Sequence, residues 1–354
     1  MFTIHATSST IQNGHGICVW QYGEHSYCDE PRRVRFCPAG SLQQSRQIAP
    51  RPLRRARFFY WTSVLLLNLV CSGLMAQSYE KLNALKGHHA QVYFSSGAEI
   101  KAKRMAVQLD GVISFFQKHL GFSPTVKLAI LSPADWQVYT RNAVYGMPHF
   151  DDNQTLFVAA DNNDFWRSFV PPTDKLPAEF SRLIVETYTN KSGELSMEPF
   201  FDLLAIHELG HAYHFQDSLV MQRKWMGELF ANILLHTYVA EVEPQLLPAL
   251  TVFPRMVVST TDRSGLKYTT LEQLETNYNE LGQKYPVNYG WYQCRWHMAA
   301  GSIYDAAGLT AIKNLWSVLK SQRAILNDDL FVKMLDTRVH PSVASVPLKW
   351  NGAE

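Results

Sequence analysis

The chain is 354 residues long, 46% hydrophobic and 18% charged, with a formal net charge of +2. That composition excludes an intrinsically disordered chain and leaves enough apolar length for one or two cores. The near-neutral balance excludes a strongly cationic nucleic-acid surface.

Residues 1–50 read as a polar leader of unclear role, unstructured, with Cys18, Cys28 and Cys37 in no C-x-x-C pairing. Residues 51–76 read as a secretory signal: Arg51, Arg54, Arg55 and Arg57 precede an apolar run over 58–70, and small residues lead up to cleavage after Ala76. The alternative is a retained signal anchor, because 58–76 is just long enough to span a bilayer. Either form exports residues 77–354, so the expected location is secreted or periplasmic, with membrane contact only if the segment is kept. Val70 is not small, so Cys71 suggests a lipidated cysteine only weakly. Residues 1–76 hold 8 Lys+Arg and 3 Asp+Glu, leaving 25 and 28 in the remainder, a net of −3. The basicity belongs to the leader, and only Cys294 lies beyond it, so no internal disulfide is expected in the mature chain.

From residue 77 to 195 the pattern is mixed. Residues 91–94 fit a short strand, and 98–120 fit an amphipathic helix in which Ala102, Met105, Leu109, Val112, Phe116 and Leu120 recur every three or four positions before Gly121. Strands follow at 125–131 and 155–160, separated by a short helix from Pro133 to Trp136 and the loop 145–150. A helix at 178–189 lies between the loops marked by Pro171-Pro172 and by residues 191–194.

Residues 200–217 read as a buried helix carrying His207-Glu-Leu-Gly-His211. Positions i and i+4 share one helical face, so the two imidazoles converge on one ion, while Glu208 stands off that axis where a carboxylate takes a proton from water. The pattern predicts Zn2+ as cofactor, with His207 and His211 as ligands and Glu208 as general base. The surrounding Leu203, Leu204, Ile206, Leu209, Ala212, Tyr213 and Phe215 are apolar nearly all round, and burying these polar groups there without a shared partner is costly. Gly210 lowers helix stability by about 1 kcal/mol against alanine, which predicts the close approach of another backbone or a substrate.

A third protein ligand is required. Residues 216–218 read as a turn, and a second helix over 220–242 runs back antiparallel, so that position 209 faces about 227. Glu228 then lies opposite the histidines, and Asn232 one turn further on suits an acceptor for the outward N–H of a ligand imidazole. His214 shares the stripe, but a straight helix rises about 10 Å between 207 and 214, so it reads as a rim or core histidine. Asp217 would serve only if the helix broke sharply at 214.

The residues His-Glu-Leu-Gly-His at 207–211 and Trp-Met-Gly-Glu-Leu-Phe-Ala-Asn at 225–232 resemble the gluzincin metallopeptidases, the thermolysin-like group, and most of all its compact peptidase MA-like members. The resemblance covers 200–232 closely and the layout over 90–300 loosely. It implies zinc held by His207, His211 and Glu228, and Glu208 as the base. Leu229 stands where the family often has glycine, and Asn232 where some members have aspartate. The family's strand before the active helix borders the cleft and pairs with an extended substrate; residues 155–160 are the candidate here, against an ordinary interior strand.

Beyond 242 the chain reads as helical over 269–282, 288–305, 308–321 and 327–336, with Pro244, Pro248 and Pro254 in a connecting loop. The resemblance implies an oxyanion donor from a later helix; Tyr289 is the first choice, with Tyr292 and His297 behind it. His88, His89, His119, His149, His236 and His340 show no ligand spacing. The expected fold class is α+β and zincin-like, a small mixed α/β lobe over 77–195 and a helical lobe over 196–354 with the active helix between them. The expected function is an exported zinc metallopeptidase acting on a peptide or protein substrate, with no nucleic-acid partner. The alternative is a non-catalytic exported protein that binds a peptide or glycan and uses a structural or degenerate zinc site.

Overall fold

A computed structural model describes residues 78–142 and 144–351. The leader, the signal segment and the cysteines at 18, 28, 37 and 71 lie outside the described residues. In chain order the elements are β1 (Asn83–Leu85), β2 (Gln91–Phe94), α1 (Glu99–Leu120), β3 (Lys127–Leu131), α2 (Pro133–Tyr139), β4 (His149–Phe150), β5 (Thr155–Ala159), α3 (Asp164–Ser168), α4 (Ala178–Tyr188), α5 (Glu198–Gln216) and α6 (Lys224–Val242). They continue with α7 (Leu247–Thr260), α8 (Leu271–Lys284), α9 (Pro286–Ala307), α10 (Leu309–Ser321), α11 (Asp328–Met334) and α12 (Pro341–Lys349). The architecture is α+β and mostly helical. No helix among the described residues is long and apolar enough to cross a membrane.

The strands form one sheet in the order β1-β2-β3-β5-β4, with β2, β3 and β5 parallel and the outer β1 and β4 antiparallel to their neighbours. Apolar periodicity builds α1: Ala102, Met105, Leu109, Val112 and Phe116 are all fully buried, and Gly121 ends the helix at φ 72°, a left-handed conformation that costs a residue without Cβ little. α1 packs on β2 and β3, and α5 packs on β5 and β4. The strand at Thr155–Ala159 is therefore interior, held between β3 and the two-residue β4, and the sheet edge beside α5 is His149–Phe150. Asp151 closes that hairpin by accepting the N–H groups of Asn153 and Thr155, which pins the register of β4 on β5.

Residues 247–260, expected as a proline-marked loop, are the helix α7 instead. Pro248 stands in the first turn, where its missing N–H would be unpaired anyway. Pro254 is interior and should break the ladder. Tyr188 of α4 repairs it from outside: its hydroxyl accepts from Phe253 N at 3.2 Å and donates to Ala249 O at 2.8 Å. A distant side chain thus satisfies the donor and acceptor of the rung next to the proline.

A buried ionic network fixes the start of α5 against α1. Lys101 Nζ lies 2.9 Å from Asp202 and 3.1 Å from Glu198, over the Trp166 ring at 4.5 Å, and Arg104 pairs with Asp202 at 2.5 Å. Glu198 in the first turn also suits the positive end of the helix dipole.

Candidate metal centre

Two helices build the centre. Residues 200 to 214 of α5 are buried at nearly every position and so are 225 to 239 of α6, so both helices are packed all round. They cross where Gly210 meets Ala231: a Cβ at 210 would sit 2.9 Å from Ala231 Cα. The close backbone approach expected at Gly210 is thus the second helix. The connecting segment runs to Arg223, longer than the predicted turn, and the antiparallel register is displaced by about one turn from the 209-to-227 pairing. Glu228 stays on the facing side.

The three predicted ligands meet. His207 Nε2 and His211 Nε2 are 3.1 Å apart, and Glu228 Oε2 lies 3.3 Å from the first and 3.8 Å from the second. Ligands about 2.0–2.1 Å from a tetrahedral zinc stand about 3.3 Å from one another, so this triangle fits such an ion. A Glu208 oxygen and the two imidazoles also lie within 4.8 Å of one another, which makes both glutamates formal ligand candidates. Glu228 is the better one, because it comes from the facing helix and its carboxylate is held in place by three side chains. His207, Glu208, His211 and Glu228 are only 3%, 5%, 4% and 2% exposed.

Three side chains hold Glu228. Tyr278 donates to Oε1 at 2.5 Å, Gln293 donates to Oε2 at 2.8 Å, and the Tyr289 hydroxyl lies 3.4 Å from Oε1. Gln293 also donates to the Tyr289 hydroxyl at 2.8 Å. Burial alone raises the Glu228 pKa, but the His207 hydrogen bond, the two imidazole charges and Tyr278 bring it down to about 2. Burial pushes His207 down, yet the hydrogen bond and charge of Glu228, with Glu208 and Asn232 adding, carry it above the ordinary histidine value. Burial holds His211 down to about 4. The cluster therefore contains an ionised carboxylate and a neutral imidazole, the forms in which these groups ligate a cation.

Asn232 anchors its amide by donating to Glu228 O at 3.0 Å. Its Oδ1 and the Nδ1 of His207 are both buried without a geometrically sound hydrogen bond, although Asn232 contributes to the upward shift of His207. The two atoms are complementary, an amide acceptor and an imidazole N–H, but no hydrogen bond joins them in the structure.

The remaining sequence candidates separate. Tyr289 lies in the centre, while Tyr292 donates to Thr270 O at 2.7 Å and belongs to the packing of α9. His297 is buried with its ring 6.4 Å from that of His207 and 5.6 Å from Phe200. Asp217 is tied to Lys320 at 2.6 Å at the end of α5 and takes no part. His214 is not a ligand, but its Nε2 lies 3.0 Å from His211 Nδ1. Leu229 is fully buried in the core. Tyr278 and Gln293 escaped sequence reasoning. Gln293 had one usable signal, its position four residues after Tyr289 on the same face of α9; Tyr278 had none.

Comparison of the chain with protein-family models, with curated proteins and with solved structures gives no match. The chemistry of the centre rests on its own geometry.

Proposed function

We propose that this chain is an exported zinc-dependent peptidase of zincin-like architecture, in which His207, His211 and Glu228 hold the ion and Glu208 serves as base. One observation carries the reading: two imidazoles and a carboxylate from antiparallel helices form a ligand-sized triangle, and a second carboxylate, Glu208, stands beside it. A metal brace between two helices needs only the first three groups. Export rests on the charged and apolar segments before residue 77.

Zinc, when bound, supplies Lewis acidity and brings the pKa of water toward neutrality. The protein's part is proton handling and orientation. Glu208 accepts the proton of the attacking water and delivers it to the leaving amine. Gln293 donates into the Tyr289 hydroxyl, whose own proton, directed at Glu228 Oε1 over 3.4 Å, would turn to a substrate oxygen. Burial and the nearby Glu228 charge raise the phenol well above its ordinary value, so it keeps its proton at neutral pH and suits a developing oxyanion. Tyr278 and Gln293 keep Glu228 pointed at the imidazoles.

Glu208→Gln tests the assignment. The variant is expected to bind one zinc as tightly as wild type and to lose hydrolysis of a mixed peptide library; undiminished turnover would overturn the mechanism. The low exposure of all four groups favours the second reading, an exported peptide- or glycan-binding protein braced by zinc. Peptide cleavage by the wild-type chain that stops on adding a chelator separates the two.

A further inference from the structure

Resting on the zinc assignment of His207, His211 and Glu228, we propose that His214 is a positioning residue of the centre: its Nε2 accepts the Nδ1–H of His211 and fixes the orientation of that ligand ring. An imidazole has two ring nitrogens. On His211, Nε2 faces His207 Nε2 at 3.1 Å and Glu228 Oε2 at 3.8 Å, the side on which a cation would be held. A neutral ring that gives the Nε2 lone pair to a cation carries its proton on Nδ1. That N–H is buried, and a buried donor without an acceptor destabilises the arrangement. His214 Nε2, at 3.0 Å in a buried contact, is the acceptor.

The acceptor is itself held. His214 is 4% exposed, its ring meets that of His211 at 78°, and the Phe230 ring stands edge-on to it at 89° with centroids 5.9 Å apart. Because His214 accepts through Nε2, its own proton belongs on Nδ1, so the two rings lock each other's tautomer. The assignment extends to His211 the kind of support that Asn232 offers His207. It also accounts for a buried histidine three residues beyond the motif, between the apolar Tyr213 and Phe215.

The test uses the full chain and two linear replacements of similar length. His214→Met fills the space without a strong acceptor, and His214→Gln places an amide oxygen near the former Nε2. Zinc affinity is read by competition with a chromophoric chelator, and ligand geometry by the absorption of the Co2+-loaded protein. His214→Met is expected to bind zinc about 10- to 100-fold more weakly and to alter the Co2+ spectrum; His214→Gln is expected to recover most of both. Met binding as tightly as wild type, or Gln no better than Met, overturns the proposal. Wild-type chain that binds no zinc sinks the metal reading instead. If neither variant folds, ring 15N spectra of the zinc-loaded wild type decide. Protonated His211 Nδ1 with bare His214 Nε2 supports the assignment, and the reverse pattern refutes it.

Discussion

Gly210→Ala probes the link between helix packing and the metal centre. The added methyl would meet Ala231 Cα at 2.9 Å, Ala231 Cβ at 3.1 Å and Ala231 O at 3.5 Å, and the first of these is backbone that no rotamer change relieves. Restoring ordinary contact requires α5 and α6 to separate by about 0.5–1 Å at the crossing. Two terms then oppose. Alanine favours the helix by about 1 kcal/mol, while overpacking costs about 1–3 kcal/mol, so the metal-free chain should lose about 0–2 kcal/mol, a drop in Tm of a few degrees at most. The ligands feel the same separation without compensation. Glu228 lies three residues before Ala231, and His211 follows Gly210 directly, so the 3.3 and 3.8 Å approaches of the carboxylate to the imidazoles lengthen together. Metal–ligand distances tolerate about 0.2 Å. The variant should therefore bind zinc at least tenfold more weakly while unfolding almost normally in chelator. Gly290→Ala in α9 is the control, because nothing lies within 4 Å of its built Cβ; it should gain stability and keep zinc affinity. Thermal unfolding with and without chelator, together with zinc competition, gives both numbers. A Gly210→Ala chain at least as stable as wild type with unchanged zinc affinity would refute the reasoning.

Tyr278→Phe removes the 2.5 Å donor to Glu228 Oε1; a hydrogen bond to a charged group contributes about 1.5–3 kcal/mol, so zinc affinity should fall by up to about 10- to 150-fold in the same competition assay. Lys101→Met leaves the buried Asp202 with only the half-exposed Arg104, and breaking a buried pair costs up to about 3–5 kcal/mol, so a lower Tm with the zinc stoichiometry intact is expected. The pH dependence of the metal-free chain follows from the shifted groups. Glu228, depressed to about 2, contributes stability that is present above its ordinary value of 4.5 and is lost as pH falls toward 2. His207, raised above 6.5, contributes stability that is complete below that value and is lost as pH rises through its folded pKa. His211, held near 4, subtracts stability below 6.5. Zinc must displace the His207 proton, so apparent zinc affinity should climb with pH through that raised value; a flat profile across neutrality would contradict it.

The two helices of the proposed metal centre were legible because their information is local. A spacing of four residues places His207 and His211 on one face whatever surrounds them, and an antiparallel return brings Glu228 opposite even though its predicted register was displaced by about a turn. The apolar rhythm of α1 and the stop at Gly121 were readable for the same reason. What failed depended on contacts between distant segments. Pro254 obeys its local rule and removes a rung, and Tyr188, 65 positions before the Phe253 amide that it accepts, satisfies the rung beside it. Whether Thr155–Ala159 lies at an edge was decided by a two-residue strand with no periodicity to detect.

The centre divides in the same way between ligands and the groups that hold them. Glu228 receives its donors from Tyr278 and Gln293, 50 and 65 residues further along. No spacing rule connects those positions to the motif. Gln293 is half-buried, four residues after Tyr289 and before His297, and the carboxylate it reaches on α6 is Glu228, the third proposed ligand. His214, a buried ring near the end of α5, would give His211 the same kind of support from within the helix, through the 3.0 Å contact of its Nε2 with His211 Nδ1.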